Sequence, residues 1–289
     1  MHDKLEKMMP KSVVQRVHQV YSQLPGGERK VADAILQSPG DLAVRTASEL
    51  ASLTGVSNAT VSRLFRRLGY ANYDEARLAS RHLRTQGSPL YLSGIRTMPE
   101  DQADSISDYL RHEMALIEAS LVTLNPLILK EISDRLANAR RVRFTGFRNS
   151  RFLADYANVT LRQFRKDVEL MTTSGQTLAE GIAGIEQGDI AVIIGFRRRP
   201  VFFTNFVRAI AGTGADIVLI ADNGIREAPA HAKWNITCPV ETPQLVDSYL
   251  GPMSVIRTLL LATINRLGAE GTKYLTAVEE LHENMSELE

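Results

Sequence analysis

The chain has 289 residues, 44% of them hydrophobic and 23% charged, which is ordinary for a water-soluble globular protein of one large or two medium domains. No apolar run is long enough to cross a bilayer, and the opening "MHDKLEKMMPKSVVQ" mixes acids with its lysines and lacks an apolar segment. Neither a membrane span nor secretion is expected, and a cytoplasmic protein is the default. The net charge of +1 hides an asymmetry: residues 1–86 carry 13 Lys+Arg against 8 Asp+Glu, and residues 87–289 carry 21 against 25. The basic part is N-terminal and small.

In chain order, "SVVQRVHQVYSQL" places Val13, Val17, Val20 and Leu24 at helical spacing, and Pro25-Gly26-Gly27 reads as a helix stop. "ERKVADAILQ" repeats the pattern with Val31, Ala34 and Ile35 until Ser38-Pro39-Gly40 ends it. Thr46-Ala47-Ser48-Glu49 is a capping box, in which the Thr46 hydroxyl accepts from the Glu49 amide while Glu49 reaches back. A helix of about two turns is expected there. It meets the turn "TGV" and then "SNATVSRLFRRLGY", where Ser57 is a good N-cap, Val61, Leu64, Phe65 and Leu68 form an apolar stripe, and Gly69 closes the helix.

Two short helices around a tight Gly-containing turn, the second with a polar and basic free face, meet the requirements of a helix-turn-helix. Ser57, Asn58, Thr60 and Arg63 are placed to face bases, and Arg66 and Arg67 to face phosphates. Thr46 completes the set of candidate DNA contacts. The competing reading is a solvated face on a structural three-helix bundle.

From Thr85 to Asp104 the sequence is rich in Gly, Ser and Pro and has no sustained period, so it reads as a linker. The expected division is a helix-turn-helix domain over 1–86, a linker over 87–104 and a second domain over 105–289. In the second part the apolar runs "RVRFTG" (141–146), "VELM" (168–171), "DIAVIIG" (189–195), "DIVLIAD" (216–222) and "NITCPV" (235–240) alternate with helix-like stretches. Five such runs argue a five-stranded parallel sheet with helices on both faces. "SISDYLRHEMALIEASLVTL" and "QLVDSYLGPMSVIRTLLLATINRLG" flank it as helices, and the acidic tail "VEELHENMSELE" reads as one more. The fold class is thus an all-α N-terminal bundle followed by an α/β domain. The single cysteine, Cys238, reads as a small buried hydrophobe, and the six histidines form no ligand-spaced cluster, so neither metal nor cofactor is expected.

"TASELASLTGVSNATVSRLFRRLGYANYDEARL", with "ERKVADAILQSPGDLAVRT" before it, resembles the N-terminal domain of RpiR-type transcriptional regulators over roughly residues 10–86. The second part resembles the sugar isomerase (SIS) domain, which in that family senses an effector. The resemblance implies a DNA-binding regulator, a homodimer or higher homo-oligomer on a palindromic operator, and a small anionic sugar-derived effector such as a sugar phosphate or a sugar acid.

In a parallel α/β sheet the ligand crevice lies at the carboxyl ends of the strands. SIS domains place a Gly- and Ser-rich turn after the first strand and a Ser-x-Ser-Gly-x-Thr turn after the third, where hydroxyls and amides hold a sugar phosphate. This chain keeps Gly146, Asn149 and Ser150 but has Arg148 where a second glycine is usual. In its third-strand turn, "GFRRRP", Gly195, Arg197, Arg198 and Pro200 stand in place of Ser, Ser, Gly and Thr. The candidate effector residues are Arg148, Asn149, Ser150, Thr173, Ser174, Arg197, Arg198, Arg199 and Glu241. Guanidinium groups suit phosphate or carboxylate, and the other reading makes these arginines structural salt bridges or a subunit contact.

The alternative function is a sugar-phosphate isomerase with an accessory helical domain. Glu241, Asp222 and His231 lie near strand ends, but none has the surroundings of a catalytic base, so no enzyme is expected.

Overall fold

The computed structural model describes residues 12–85, 102–171, 175–242 and 246–287. The chain divides into two compact units, one built from residues up to Ser105 with Glu241–Asp247, the other from Ile106–Val240 and Ser248–Glu289.

The first unit is helical: α1 (Val13–Val20), α2 (Gly26–Gln37), α3 (Asp41–Val44), α4 (Ala47–Thr54), α5 (Asn58–Arg67) and α6 (Tyr73–Thr85). Gly26 and Gly27, read from sequence as a stop, instead open α2 behind Pro25. The first turn of a helix tolerates them because its amides have no intrahelical partner in any case. Helix α3 carried no periodic signal, being a single turn. The capping box of α4 forms as expected, with the Glu49 amide donating to Thr46 Oγ1 at 3.2 Å. The Thr46 amide and hydroxyl in return hold the Glu49 carboxyl below its usual range. Gly55 closes α4 with φ of 64°, a left-handed conformation that glycine adopts without a Cβ penalty.

Val17, Val31, Val61, Leu64 and Phe65 are wholly buried at the centre of this unit, with the Phe65 ring edge-on to Tyr73 at 5.1 Å. Tyr73 donates to the Arg45 carbonyl at 3.0 Å, and burial pushes its phenol up to about 12. Arg16 donates to the Leu68 carbonyl at 2.8 Å, satisfying an orphan carbonyl at the end of α5.

The second unit is a three-layer α/β structure of α7 (Gln102–Val122, in this unit from Ile106 on), α8 (Pro126–Asn138), β1 (Val142–Gly146), α9 (Ser150–Arg162), β2 (Val168–Leu170), α10 (Leu178–Ala183), β3 (Ile190–Gly195), α11 (Phe203–Ala211), β4 (Asp216–Ala221), β5 (Trp234–Thr237) and α12 (Leu250–Met285). All pairings are parallel, in the order β2-β1-β3-β4-β5. Along β3 the pleat sends Ile190, Val192 and Ile194 into the core with α8, α9 and α12, and Ala191 and Ile193 into the core with α11. Burial on both faces explains why these strands read as continuous apolar runs.

Helix α8 was not singled out in the sequence, although Asn125 caps it by accepting from the Leu127 amide at 2.8 Å and Pro126 opens it. Helix α7 begins at Gln102, inside the stretch read as linker. Strand β5 is shorter than its apolar run and takes in Trp234, and α12 begins at Leu250, after the described residues 246–249, which are not helical; the first two residues of the expected helix, 244 and 245, lie outside the described residues. Gly268, with φ of 51° and ψ of −129°, breaks α12 before the acidic tail continues as helix to Met285.

Cys238 is completely buried, and burial pushes its thiol up to about 12 against a smaller lowering effect of the Ser120 hydroxyl. Since the thiolate is the reactive species, an aromatic disulfide reagent at neutral pH is expected to label Cys238 only as the unit unfolds, in step with loss of circular dichroism. Prompt labelling of the folded protein would contradict this burial.

Candidate DNA-reading surface and effector crevice

Helix α5 presents its candidate side chains unequally. Ser57 caps it, accepting from the Thr60 amide at 3.2 Å. Asn58 is exposed and donates to Ser48 Oγ at 3.2 Å, which ties the first turn of α5 to α4. Thr60 is half-buried, its hydroxyl bonded to Ser57 at 3.0 Å and to the Arg63 guanidinium at 3.1 Å. Arg63 and Arg66 are exposed. Arg67 differs from both, because its Nε donates to Glu28 at 2.8 Å and the Glu28 side chain is only 6% exposed. Thr46 is exposed, with its hydroxyl on Glu49 at 2.9 Å. Two further exposed residues of this surface, Ser48 and Ala59, stand outside the set expected from sequence. The signal for Ala59 was available, since it lies opposite the apolar stripe at 100° per residue.

In the second unit the strand order reverses between β1 and β3, which makes their carboxyl ends the switch point where an α/β sheet opens a ligand crevice. The turns after these two strands are joined by a bond from the Phe196 amide to Ser150 Oγ at 3.2 Å. Both strands end in glycines with no room for a side chain. A Cβ on Gly146 would stand 2.3 Å from the Ser150 carbonyl oxygen, and one on Gly195 would stand 2.1 Å from the Phe203 ring. Phe147 packs edge-on to Phe202 and to Phe206, each at 5.1 Å, while Phe196 meets Tyr249 at 5.9 Å.

Around this frame the arginines separate. Arg148 and Arg198 have φ of 55° and 64°, the left-handed region where the family pattern has glycine. Both are exposed, and no ion pair or hydrogen bond of either side chain occurs among the described residues. Arg197 is buried and engaged. Arg199 reaches back to the Gly195 carbonyl at 2.8 Å and pairs with Asp222, whose side chain is 6% exposed and also accepts from the Gly224 amide at 2.7 Å. Asn149 is exposed, Ser150 is buried, and Glu241 is exposed within the segment grouped with the helical unit. Thr173 and Ser174 lie outside the described residues. Groups of three or more His, Cys, Asp or Glu able to hold a metal ion do not occur among the described residues.

Family comparison matches residues 11–83 to the helix-turn-helix domain of the rpiR family and residues 135–262 to the SIS domain. The chain belongs to the RpiR family of transcriptional regulators. It is 22% identical over 282 residues to the HTH-type transcriptional regulator HexR of Pseudomonas aeruginosa, covering 93% of this chain and 95% of that protein. An uncharacterized HTH-type transcriptional regulator of Thermotoga maritima is 26% identical over 215 residues, with 73% and 75% covered. The fold is that of the Vibrio vulnificus NanR protein complexed with ManNAc-6P, with a TM-score of 0.56 at 16% identity over 94% of this chain and 98% of that one. The sugar isomerase domain of an RpiR transcription factor from Sphaerobacter thermophilus gives 0.57 at 16% identity, over 62% and 99%.

The two-domain order, an rpiR-type helix-turn-helix followed by an SIS domain, makes this RpiR-family chain a DNA-binding transcriptional regulator. Among the described residues no helix is long and apolar enough to cross a membrane.

Proposed function

We propose that this protein acts as a cytoplasmic homodimer on a palindromic operator, and that an anionic sugar derivative seated at the β1/β3 crevice sets its operator affinity. The observation that carries the effector reading is the pair Arg148 and Arg198: left-handed, exposed and without a side-chain partner among the described residues, in two turns joined by the Phe196–Ser150 bond. A left-handed non-glycine residue costs about 1–2 kcal/mol, and such strain concentrates at ligand-binding turns. Two guanidinium groups there suit a phosphate or carboxylate. That NanR is complexed with ManNAc-6P in its solved structure supports a phosphorylated sugar as the first class to try.

A dimer follows from the reading head: one short helix holds few base contacts, and two-fold symmetry doubles them. The effector acts by population shift, binding two arrangements of the dimer with different affinity. Catalysis is not part of this reading. Asp222 is taken up by Arg199 and Gly224, and His231 by the Arg208 guanidinium at 3.3 Å.

The test is fluorescence anisotropy on an operator fragment, with salt and candidate effectors varied. Specific binding that weakens steeply with salt is expected, and sugar phosphates and sugar acids are expected to shift it. Arg148→Gly and Arg198→Gly should each weaken the effector response at least tenfold while leaving operator affinity intact, since glycine keeps the left-handed turn and removes only the guanidinium. A response unchanged in the double variant would assign these arginines another role. Turnover of an aldose or ketose phosphate without specific DNA binding would favour an isomerase.

A further inference from the structure

We infer that Ala59 is a specificity-determining residue of α5, its methyl group reading the 5-methyl of a thymine within two base pairs of the guanine that Arg63 reads. The inference rests on α5 being the helix that enters the major groove.

The buried stripe Val61, Leu64, Phe65 and Leu68 fixes which way α5 faces. At 100° per residue the direction opposite that stripe runs through Ala59, with Arg66 and Arg63 about 20° and 40° to either side. The centre of the outward face is therefore an alanine flanked by two exposed arginines. The polar residues beside it are turned away from that centre. Thr60 has its hydroxyl on Ser57 and Arg63, and its methyl would lie 3.2 Å from a Cβ placed on Gly27 of α2. Asn58 is held toward α4 by Ser48.

An alanine at the deepest point of a reading helix lets the backbone approach the base edges closely. Its only chemistry there is apolar, and the one apolar group a major groove offers is the thymine methyl. Four residues of helix rise about 6 Å from Ala59 to Arg63, less than two base-pair steps of about 3.4 Å. Arg63, with its bidentate fork, is suited to guanine O6 and N7 at that distance.

The experiment begins with selection from random duplexes by the full-length protein, which yields the preferred half-site. Each thymine of that site is then replaced singly by deoxyuridine, which keeps base pairing and removes only the methyl. One replacement should weaken wild-type binding about fourfold, the worth of one buried methyl-sized group. The same replacement should cost nothing in Ala59→Gly or Ala59→Ser, and its penalty should persist in Arg63→Ala. The serine variant guards against loss of helix in the glycine one. If every deoxyuridine site binds wild type as the parent does, or if the penalty persists in both Ala59 variants, the inference is overturned. A selection that enriches no sequence would overturn the DNA-reading role of α5 along with it, whereas an enriched site without a methyl penalty overturns the inference alone.

Discussion

Replacing Arg199 by alanine is expected to destabilise the sheet unit by about 3–5 kcal/mol, because it leaves the Asp222 carboxylate buried without its cation. Asp222 sits just past β4 and Arg199 four residues past β3, so the pair clamps two neighbouring strand ends. Urea denaturation should show a lower midpoint with an unchanged slope. Adding Asp222→Asn should recover most of the loss, since the amide removes the stranded charge and keeps an oxygen for the Gly224 amide. Arg198→Gly, one residue away, should do the opposite and stabilise by about 1 kcal/mol through relief of its left-handed backbone. An Arg199→Ala midpoint within the scatter of ordinary surface substitutions, about 0.5 kcal/mol, would mean that the clamp contributes little.

The second large effect separates three arginines of one helix. Arg63→Ala should cost about 1–3 kcal/mol of discrimination at a single operator position. Arg66→Ala should weaken all sequences alike and reduce the salt slope by about 1. Arg67→Ala should act on stability instead, lowering protection of the helical unit in hydrogen exchange by about 1–3 kcal/mol, because Glu28 is buried and loses its partner. Binding measured well below the melting range separates the three. If Arg67→Ala reduced the salt slope as Arg66→Ala does, with unchanged exchange, its bond to Glu28 would be incidental to a phosphate contact.

The alternation of elements, the α4–turn–α5 motif and the sheet class were legible because each rests on neighbours a few residues apart. The Thr46 box, the Ser57 cap and the β3 apolar run are such local signals. Helix α8 was legible in principle, through Asn125-Pro126, but sits against the longer α7 signal. Ala59 carries no polar group to mark it among base contacts, although its place opposite the apolar stripe is legible at 100° per residue.

The run "GFRRRP" shows where local reading stops. Sequence placed three arginines at the carboxyl end of the third strand, in turns where the family pattern has hydroxyls and glycine. In sequence the three are chemically alike, and only the fold parts them. Arg199 is drawn inward by Asp222, 23 residues on, and Arg67 by Glu28, 39 residues back. Among the described residues Arg148 and Arg198, both exposed, have no such carboxylate beside them. Spacing and capping determine secondary structure because those forces act within a turn of chain, whereas a charge's availability depends on which distant carboxylate the tertiary fold buries beside it.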